Sequence, residues 1–281
     1  YANAPLPVAA LFAIMTKVGA YAILRMYTLV FGPDVAITAG LSGEWLLPAA
    51  LITLAVGAIG VLGAREIGRL IAFGAITSMG TLLTAVALFT PEAVAAALYY
   101  TVHSTLAAAL LFLIADMVME RQGGDITPKP VMAQSGLIAA LFFAGAIALA
   151  GMPPLSGFLG KLLVMDAARG HELVWWIWGV ILISSLITII GLARAGSLIF
   201  WKSHGLEPAT ETEEAGTDVS PEHDQADRSS ALPFVACFGL LGGLVVMTVF
   251  DGPMMGYAEA TAAQLFAPQD YIDTVLERAD K

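Results

Sequence analysis

Long apolar stretches separated by short polar connections dominate the chain. A transmembrane helix needs about 20 consecutive apolar residues, whereas a barrel strand alternates over about ten. The pattern therefore predicts an all-α polytopic membrane protein with about seven transmembrane helices. The seven stretches cover residues 6–30, 45–63, 69–89, 93–119, 131–168, 173–201 and 232–253.

The fifth stretch is too long for one straight span. Its 38 residues would rise about 57 Å as a helix, across a hydrocarbon core of about 30 Å. It contains Gly-Met-Pro-Pro-Leu-Ser-Gly at 151–157, and Pro153 and Pro154 interrupt a helix. Only 14 residues follow Pro154 in this stretch, too few to span alone. One discontinuous helix is favoured over two spans joined by a hairpin.

Composition and charge agree with a membrane protein. The chain is 58% hydrophobic and 13% charged, against about 45–50% and about 25% in soluble domains. This excludes a water-soluble enzyme, a nucleic-acid binder and a disordered protein. The net charge of −10 is concentrated outside the apolar stretches. Residues 205–230 hold eight acidic residues and one arginine, and residues 251–281 hold six acidic and two basic residues.

The basic residues predict the orientation, because cytoplasmic loops are enriched in Lys and Arg. With seven spans, one face collects six of them and the other face three. We expect 1–201 to be a transmembrane region, 202–231 a flexible acidic cytoplasmic loop, 232–253 the last span and 254–281 an extracytoplasmic tail, in a bacterial plasma membrane. The first face holds Arg65, Arg69, Arg121, Lys129, Lys202 and Arg228, and the second holds Arg169, Arg278 and Lys281.

Three titratable residues lie near the middle of predicted spans: Lys17, His103 and Lys161. A charge at this depth costs at least about 2.5–3.5 kcal/mol and marks a functional site by default. A buried lysine gives up its proton readily, and an imidazole can accept and donate a proton. Lys161 carries the strongest signal, because broken helices at membrane depth mark ion or substrate sites in transporters.

Each of these residues also has a purely structural interpretation. Lys17 could pair with a carboxylate, and His103 could bond a serine or threonine on a neighbouring helix. We favour a proton relay because the three occur together. The single Cys237 excludes a disulfide framework. The sequence shows no metal-ligand cluster, nucleophile triad or haem pair, so we expect no metal, no cofactor and no enzymatic chemistry.

Four sequence strings carry a family resemblance. They are KVGAYAILR at 17–25, RLIAFGAITSMG at 69–80, HSTLAAALLFLI at 103–114 and GMPPLSGFLGK at 151–161. Together they resemble the antiporter-like membrane subunits, which include membrane-arm subunits of respiratory complex I and large subunits of Mrp-type (Pha or Mnh) cation/proton antiporters. The strings at 194–201 and 271–276 are more similar to the D-type Mrp subunits than to complex I proteins.

The resemblance implies a fourteen-helix fold with two inverted repeats, of which this chain holds the last seven helices. The first span is then helix eight, and 131–168 is the broken helix twelve. Lys17 takes the place of the central relay lysine, His103 of the connecting residue and Lys161 of the terminal lysine. Supporting roles are expected for the break residues Pro153, Pro154, Ser156 and Gly157.

Two departures from the family pattern matter. Some relatives have a histidine where Ser78 stands, so a relay there needs Ser78, Thr77 or water. The glutamate and lysine of family helices five and seven fall before Tyr1, so the first half-channel is missing from this chain. Because the chain starts with Tyr1 rather than Met, we expect it to be a piece of a longer subunit or one part of a split one.

The sequence therefore predicts a membrane subunit of a multisubunit Na⁺ or K⁺/H⁺ antiporter, working with other subunits in a lipid bilayer. One alternative is a proton-pumping subunit of complex I or of a membrane-bound hydrogenase. Another alternative, of a different class, is a structural scaffold without a transport path.

Overall fold

The fold is a bundle of helices, as predicted. The computed structural model describes residues 5–31, 42–202, 231–269 and 271–274. Within these ranges nine α-helices have defined bounds, and residues 269 and 271–274 are also helical. Two short π-helical turns, Ser42–Leu46 and Ser197–Trp201, precede the second helix and follow the seventh. The α-helices are α1 Leu6–Leu29, α2 Leu47–Gly63, α3 Ile67–Leu88, α4 Pro91–Gln122, α5 Ser135–Ala150, α6 Ser156–Ala167, α7 Val174–Gly196, α8 Leu232–Val249 and α9 Asp251–Phe266.

Six of these helices are long and apolar enough to cross a membrane. They start at Leu6, Gly43, Ile67, Pro91, Val174 and Leu232, and match six of the seven predicted stretches within a few residues. The remaining stretch, 131–168, is the predicted discontinuous helix. It is divided into α5 and α6 by the irregular segment 151–155, which holds the two prolines that cannot continue a helix.

The last helices differ in detail from the prediction. The span predicted to reach residue 253 ends at Val249, and a second helix, α9, follows almost at once. Helix α9 packs on α4 through Ala258, Ala262 and Leu265. The predicted acidic loop at 202–231 lies almost entirely outside the described residues, as do residue 270 and residues 275–281 of the tail.

The loops at one end of the bundle are joined by backbone hydrogen bonds. Ile67 N donates to Gly124 O, and Ile126 N donates to Arg65 O, both at 2.8 Å. Nearby, Arg194 Nη2 donates to Ala64 O at 2.9 Å and so ties α7 to the end of α2. These contacts fix α2, α3, α4 and α7 relative to one another and give hydrogen-bond partners to backbone groups at the helix ends.

The core consists of two apolar clusters at different heights. In α4, one cluster uses residues 107–118 and the other uses residues 94–100. The same division occurs in α3, where one cluster ends at Ile71 and the other begins at Leu82, and in α7, with Ile181 in one and Leu192 in the other. Each helix therefore leaves an intermediate segment that belongs to neither apolar cluster.

Buried polar residues occupy that intermediate height, which we call the polar layer. They come from α1, α3, α4, α6 and α7, so five helices contribute to one level of the bundle. Its members are Lys17, Thr77, Ser78, Thr81, His103, Ser104, Ser156, Lys161, Ser184 and Thr188, each no more than 6% exposed.

Close contact between α2 and α3 depends on glycine. A Cβ at Gly80 would lie 2.7 Å from the backbone nitrogen of Leu54 and 2.9 Å from its Cα. Backbone atoms cannot move aside as a flexible side chain can, so a methyl group there must push the two helices apart. A Cβ at Gly63, at the end of α2, would have no heavy atom within 4 Å.

We predict that Gly80→Ala destabilises the protein by about 1–3 kcal/mol, the usual cost of overpacking a core. Gly63→Ala is the matched control and should stay within about 0.5 kcal/mol of the parent. Thermal unfolding of the detergent-purified protein measures both. Equal stability of the two variants would contradict the close helix contact.

Candidate functional site

Lys161 lies directly beside the break in the discontinuous helix. Its side chain is 6% exposed. The amine Nζ donates a hydrogen bond to the carbonyl oxygen of Ala150 at 2.7 Å and another to Ser185 Oγ at 2.9 Å. Ala150 is the last residue of α5, where the helix leaves carbonyls without intrahelical partners. Lys161 therefore satisfies a helix end that would otherwise be costly to bury.

Gly151 makes room for this lysine. Its φ of +78° lies in the left-handed region, which glycine adopts without steric cost. A Cβ at this position would lie 2.7 Å from Lys161 Cδ and 3.0 Å from Cε. The glycine thus serves both the turn that ends α5 and the passage of the lysine side chain across it.

His103 lies against the other side of the break. It is 1% exposed, and its Nδ1 is 2.9 Å from Ser156 Oγ at the first residue of α6. The imidazole also interacts with the backbone carbonyl of Ala148 in α5. One side chain of α4 thus contacts both halves of the broken helix. This is the neighbouring-helix serine contact that the structural interpretation of His103 anticipated.

Gly157 allows the imidazole to come this close. A Cβ there would be 2.8 Å from His103 Nε2 and would overlap the carbonyl oxygen of Ala148. The expected supporting residues Ser156 and Gly157 are therefore buried next to His103. Pro153 and Pro154, by contrast, are exposed at the surface of the bundle, in the segment between the half-helices.

Lys17 occupies a different environment from Lys161. It is 3% exposed, and it makes no hydrogen bond or ion pair with any residue in the described part of the chain. Its side chain lines a cavity of about 220 Å³ between α1, α3 and α4, to which Thr101 and Thr105 contribute. Most of the residues that line it are apolar. The carboxylate partner of the structural interpretation is not found within the described residues.

Tyr100 connects α3 to this site and was not singled out from the sequence. It is 1% exposed, its hydroxyl lies among the side chains of Ser78 and Thr81, and its ring centroid is 5.7 Å from that of His103. Ser78 Oγ is buried without a hydrogen bond of good geometry to any described residue. Residues 100 and 103 are three apart and therefore lie on one face of α4. This spacing was the sequence signal that could have identified Tyr100.

The two hydroxyl residues proposed for α3 differ in their surroundings. Thr77 Oγ1 donates to the carbonyl of Phe73 in its own helix at 3.1 Å and packs against Gly57 of α2. Ser78 makes no such bond within its helix and lies next to Tyr100. Ser78 is therefore the better placed of the two for proton transfer.

The three titratable residues singled out from the sequence lie at one height, on α1, α4 and α6. Helix α4 contacts both α1 and α6, and α6 also contacts α7. No group of three or more His, Cys, Asp or Glu side chains that could bind a metal ion occurs within residues 5–31, 42–202, 231–269 and 271–274. The arrangement suits proton transfer between buried amines, imidazole, hydroxyls and water.

Comparison with known proteins identifies the family. Residues 1–188 match the family described as "NADH:quinone oxidoreductase/Mrp antiporter, TM". The chain belongs to this family. The match covers α1 to α6 and most of α7, and so includes the whole site.

Individual relatives in the family agree. The chain is 33% identical to the D-type subunit of a probable K⁺/H⁺ antiporter of Rhizobium meliloti (strain 1021), over 98% of this chain and 54% of that protein. It is also 33% identical to the D-type subunit of a Na⁺/H⁺ antiporter of Bacillus subtilis (strain 168), over 99% of this chain and 53% of that protein. The chain spans about half the length of these relatives.

A solved structure supports the same fold. A chain in the structure of the Mrp complex from Dietzia sp. DQ12-45-1b is similar with a TM-score of 0.75 and 25% sequence identity. The match covers 97% of this chain and 55% of that chain.

We predict that Gly151→Ala lowers both stability and any activity that depends on Lys161. A left-handed alanine costs about 1–2 kcal/mol, and its methyl group displaces the lysine side chain from the Ala150 carbonyl. Gly136→Ala, near the start of α5, is the control, because a Cβ there meets nothing within 4 Å. Thermal unfolding measures the loss of stability, and cation-driven proton exchange in membrane vesicles measures the loss of activity. Parent-like behaviour of Gly151→Ala would contradict this arrangement of Lys161.

Proposed function

We propose that the chain is part of a membrane subunit of a multisubunit monovalent cation/proton antiporter and carries part of its proton path. It acts as a secondary transporter component and not as an enzyme. The observation that carries this proposal is Lys161, a buried lysine whose amine is held at the break of a discontinuous helix by two hydrogen bonds. The antiporter names of the relatives point to the same activity.

The proton path uses the titratable members of the polar layer. Lys17 exchanges protons with water in its cavity, His103 connects α4 to the break, and Lys161 forms the far end in α6. Tyr100 and Ser78 bring hydroxyls beside His103, between α3 and α4. Protonation of one buried group changes the electrostatic energy of the next, and this coupling is how cation movement and proton movement are linked.

Partner helices are needed to complete the transporter. Non-helical backbone at membrane depth is tolerated only when protein or a water-filled cavity covers it, yet Pro153 and Pro154 are exposed in this chain alone. Helix α1 beside Lys17 is also largely uncovered, with Leu11 69% and Val18 62% exposed. Helices from elsewhere in the complex cover these surfaces and supply the first half of the proton path.

The complex lies in the bacterial plasma membrane with the Arg65 and Lys129 loops on the cytoplasmic side. The distribution of basic residues supports this orientation. It places the 202–231 loop inside the cell and the residues after α8 outside it.

A proton-pumping subunit of complex I or of a hydrogenase is the second candidate. The family description includes NADH:quinone oxidoreductase, and the same lysines would then respond to redox chemistry in other subunits. Genes beside this one distinguish the two: small Mrp-type subunits favour the antiporter, and quinone-reductase subunits favour complex I.

We predict that Lys161→Ala abolishes Na⁺- or K⁺-driven proton movement while the complex still assembles. The measurement is dye-monitored exchange in everted membrane vesicles that contain the complete antiporter. Lys202→Ala is the control, because Lys202 is exposed at the end of the π-helical turn after α7 and should exchange at the parent rate.

Parent-like exchange in Lys161→Ala would overturn the role of this residue. If Lys17→Ala were also neutral, the chain would act as a scaffold and the proton path would lie in other subunits.

A further inference from the structure

Ser185 in α7 is the only described side chain that hydrogen-bonds the amine of Lys161. The Lys161 Nζ to Ser185 Oγ distance is 2.9 Å. Nothing in the sequence distinguished this residue, since serine is common in transmembrane helices and Ser184 stands beside it. The second acceptor of the amine is the backbone carbonyl of Ala150.

The two acceptors differ in what they can do with a proton. An amide carbonyl accepts a hydrogen bond but has no proton of its own to pass on. A serine hydroxyl accepts with one lone pair while its own O–H donates elsewhere. Of the two described contacts, only the one with Ser185 can therefore conduct a proton away from Lys161.

The position of Ser185 continues the order of the site. His103 lies on α4, Lys161 on α6 and Ser185 on α7, and α6 contacts both of the other helices. Ser185 is half-buried, whereas its neighbour Ser184 is 3% exposed and donates to Ile181 O in its own helix at 3.0 Å. Ser185 therefore contacts the buried amine of Lys161 and is itself partly exposed at the surface of α7.

We propose that Ser185 is the residue with which Lys161 exchanges its proton on the α7 side, extending the path by one helix. A proton leaves Nζ of Lys161 for Oγ of Ser185 as the hydroxyl proton of Ser185 passes to a water molecule beyond it. Lys161 is then neutral, Ser185 again carries one proton, and the water carries the charge. The reverse sequence reprotonates Lys161.

This inference rests on the proposed transport function and deepens it. The test compares Ser185→Val with Ser185→Thr in the complete antiporter, since valine and threonine have nearly the same shape and differ in the hydroxyl. Exchange in vesicles should fall about a hundredfold or more in Ser185→Val, the contribution typical of a positioned proton-transfer group. Ser185→Thr should retain most of the parent rate.

Ser184→Ala is the matched control, because Ser184 is adjacent in sequence and its hydroxyl bonds only its own helix. It should exchange at the parent rate. Equal rates of Ser185→Val and Ser185→Thr, or an equal loss in Ser184→Ala, would overturn the role of the hydroxyl. Assembly of each variant is checked by co-purification, and a Val variant that assembles no worse than the Thr variant makes the comparison direct.

The outcome for Lys161→Ala separates the two proposals. Loss of exchange in Lys161→Ala with full exchange in Ser185→Val would reject Ser185 and keep the transport function. Full exchange in Lys161→Ala would reject the transport role itself.

Discussion

A break in a helix at membrane depth imposes the constraint on which the site depends. Lipid offers no hydrogen bonds, so the carbonyls at the end of α5 and the polar residues at the start of α6 need partners inside the protein. Lys161 supplies one partner to Ala150, and His103 contacts both Ser156 and Ala148. The same contacts that make the break tolerable bring two titratable side chains to it, so structure and proposed chemistry are not separate here.

The polar layer extends this principle across the bundle. Two apolar clusters close the core above and below it, and five helices place hydroxyl, amine or imidazole groups between them. Most of its hydroxyls bond carbonyls of their own helices, which satisfies them locally. Within the described residues, Lys17 and Ser78 are the members of the layer for which no hydrogen bond of good geometry is found. Unsatisfied buried groups are costly, so both residues need a hydrogen-bond partner from water or from another helix.

Two surfaces of the chain are uncovered beside the candidate site. It matches its relatives over about half of their length, and the surfaces it leaves uncovered lie beside Lys17 and beside the exposed prolines. In a membrane both places need cover, the first because a titratable group lies behind it and the second because its backbone is irregular. The proposed function accounts for both uncovered surfaces by helices of other parts of the complex that pack against them.

The sequence by itself determined the spans, the interrupted helix and the three titratable residues near mid-membrane, because hydropathy and proline act locally and need no partner to be recognised. Only the tertiary structure decided which hydroxyls meet those residues. Ser185 was indistinguishable from Ser184, and Tyr100 from Tyr99, until the rotation and height of each helix against its neighbours were known. Helix register is fixed by packing of distant segments, such as Gly80 on Leu54, and such packing cannot be read from one stretch of sequence alone.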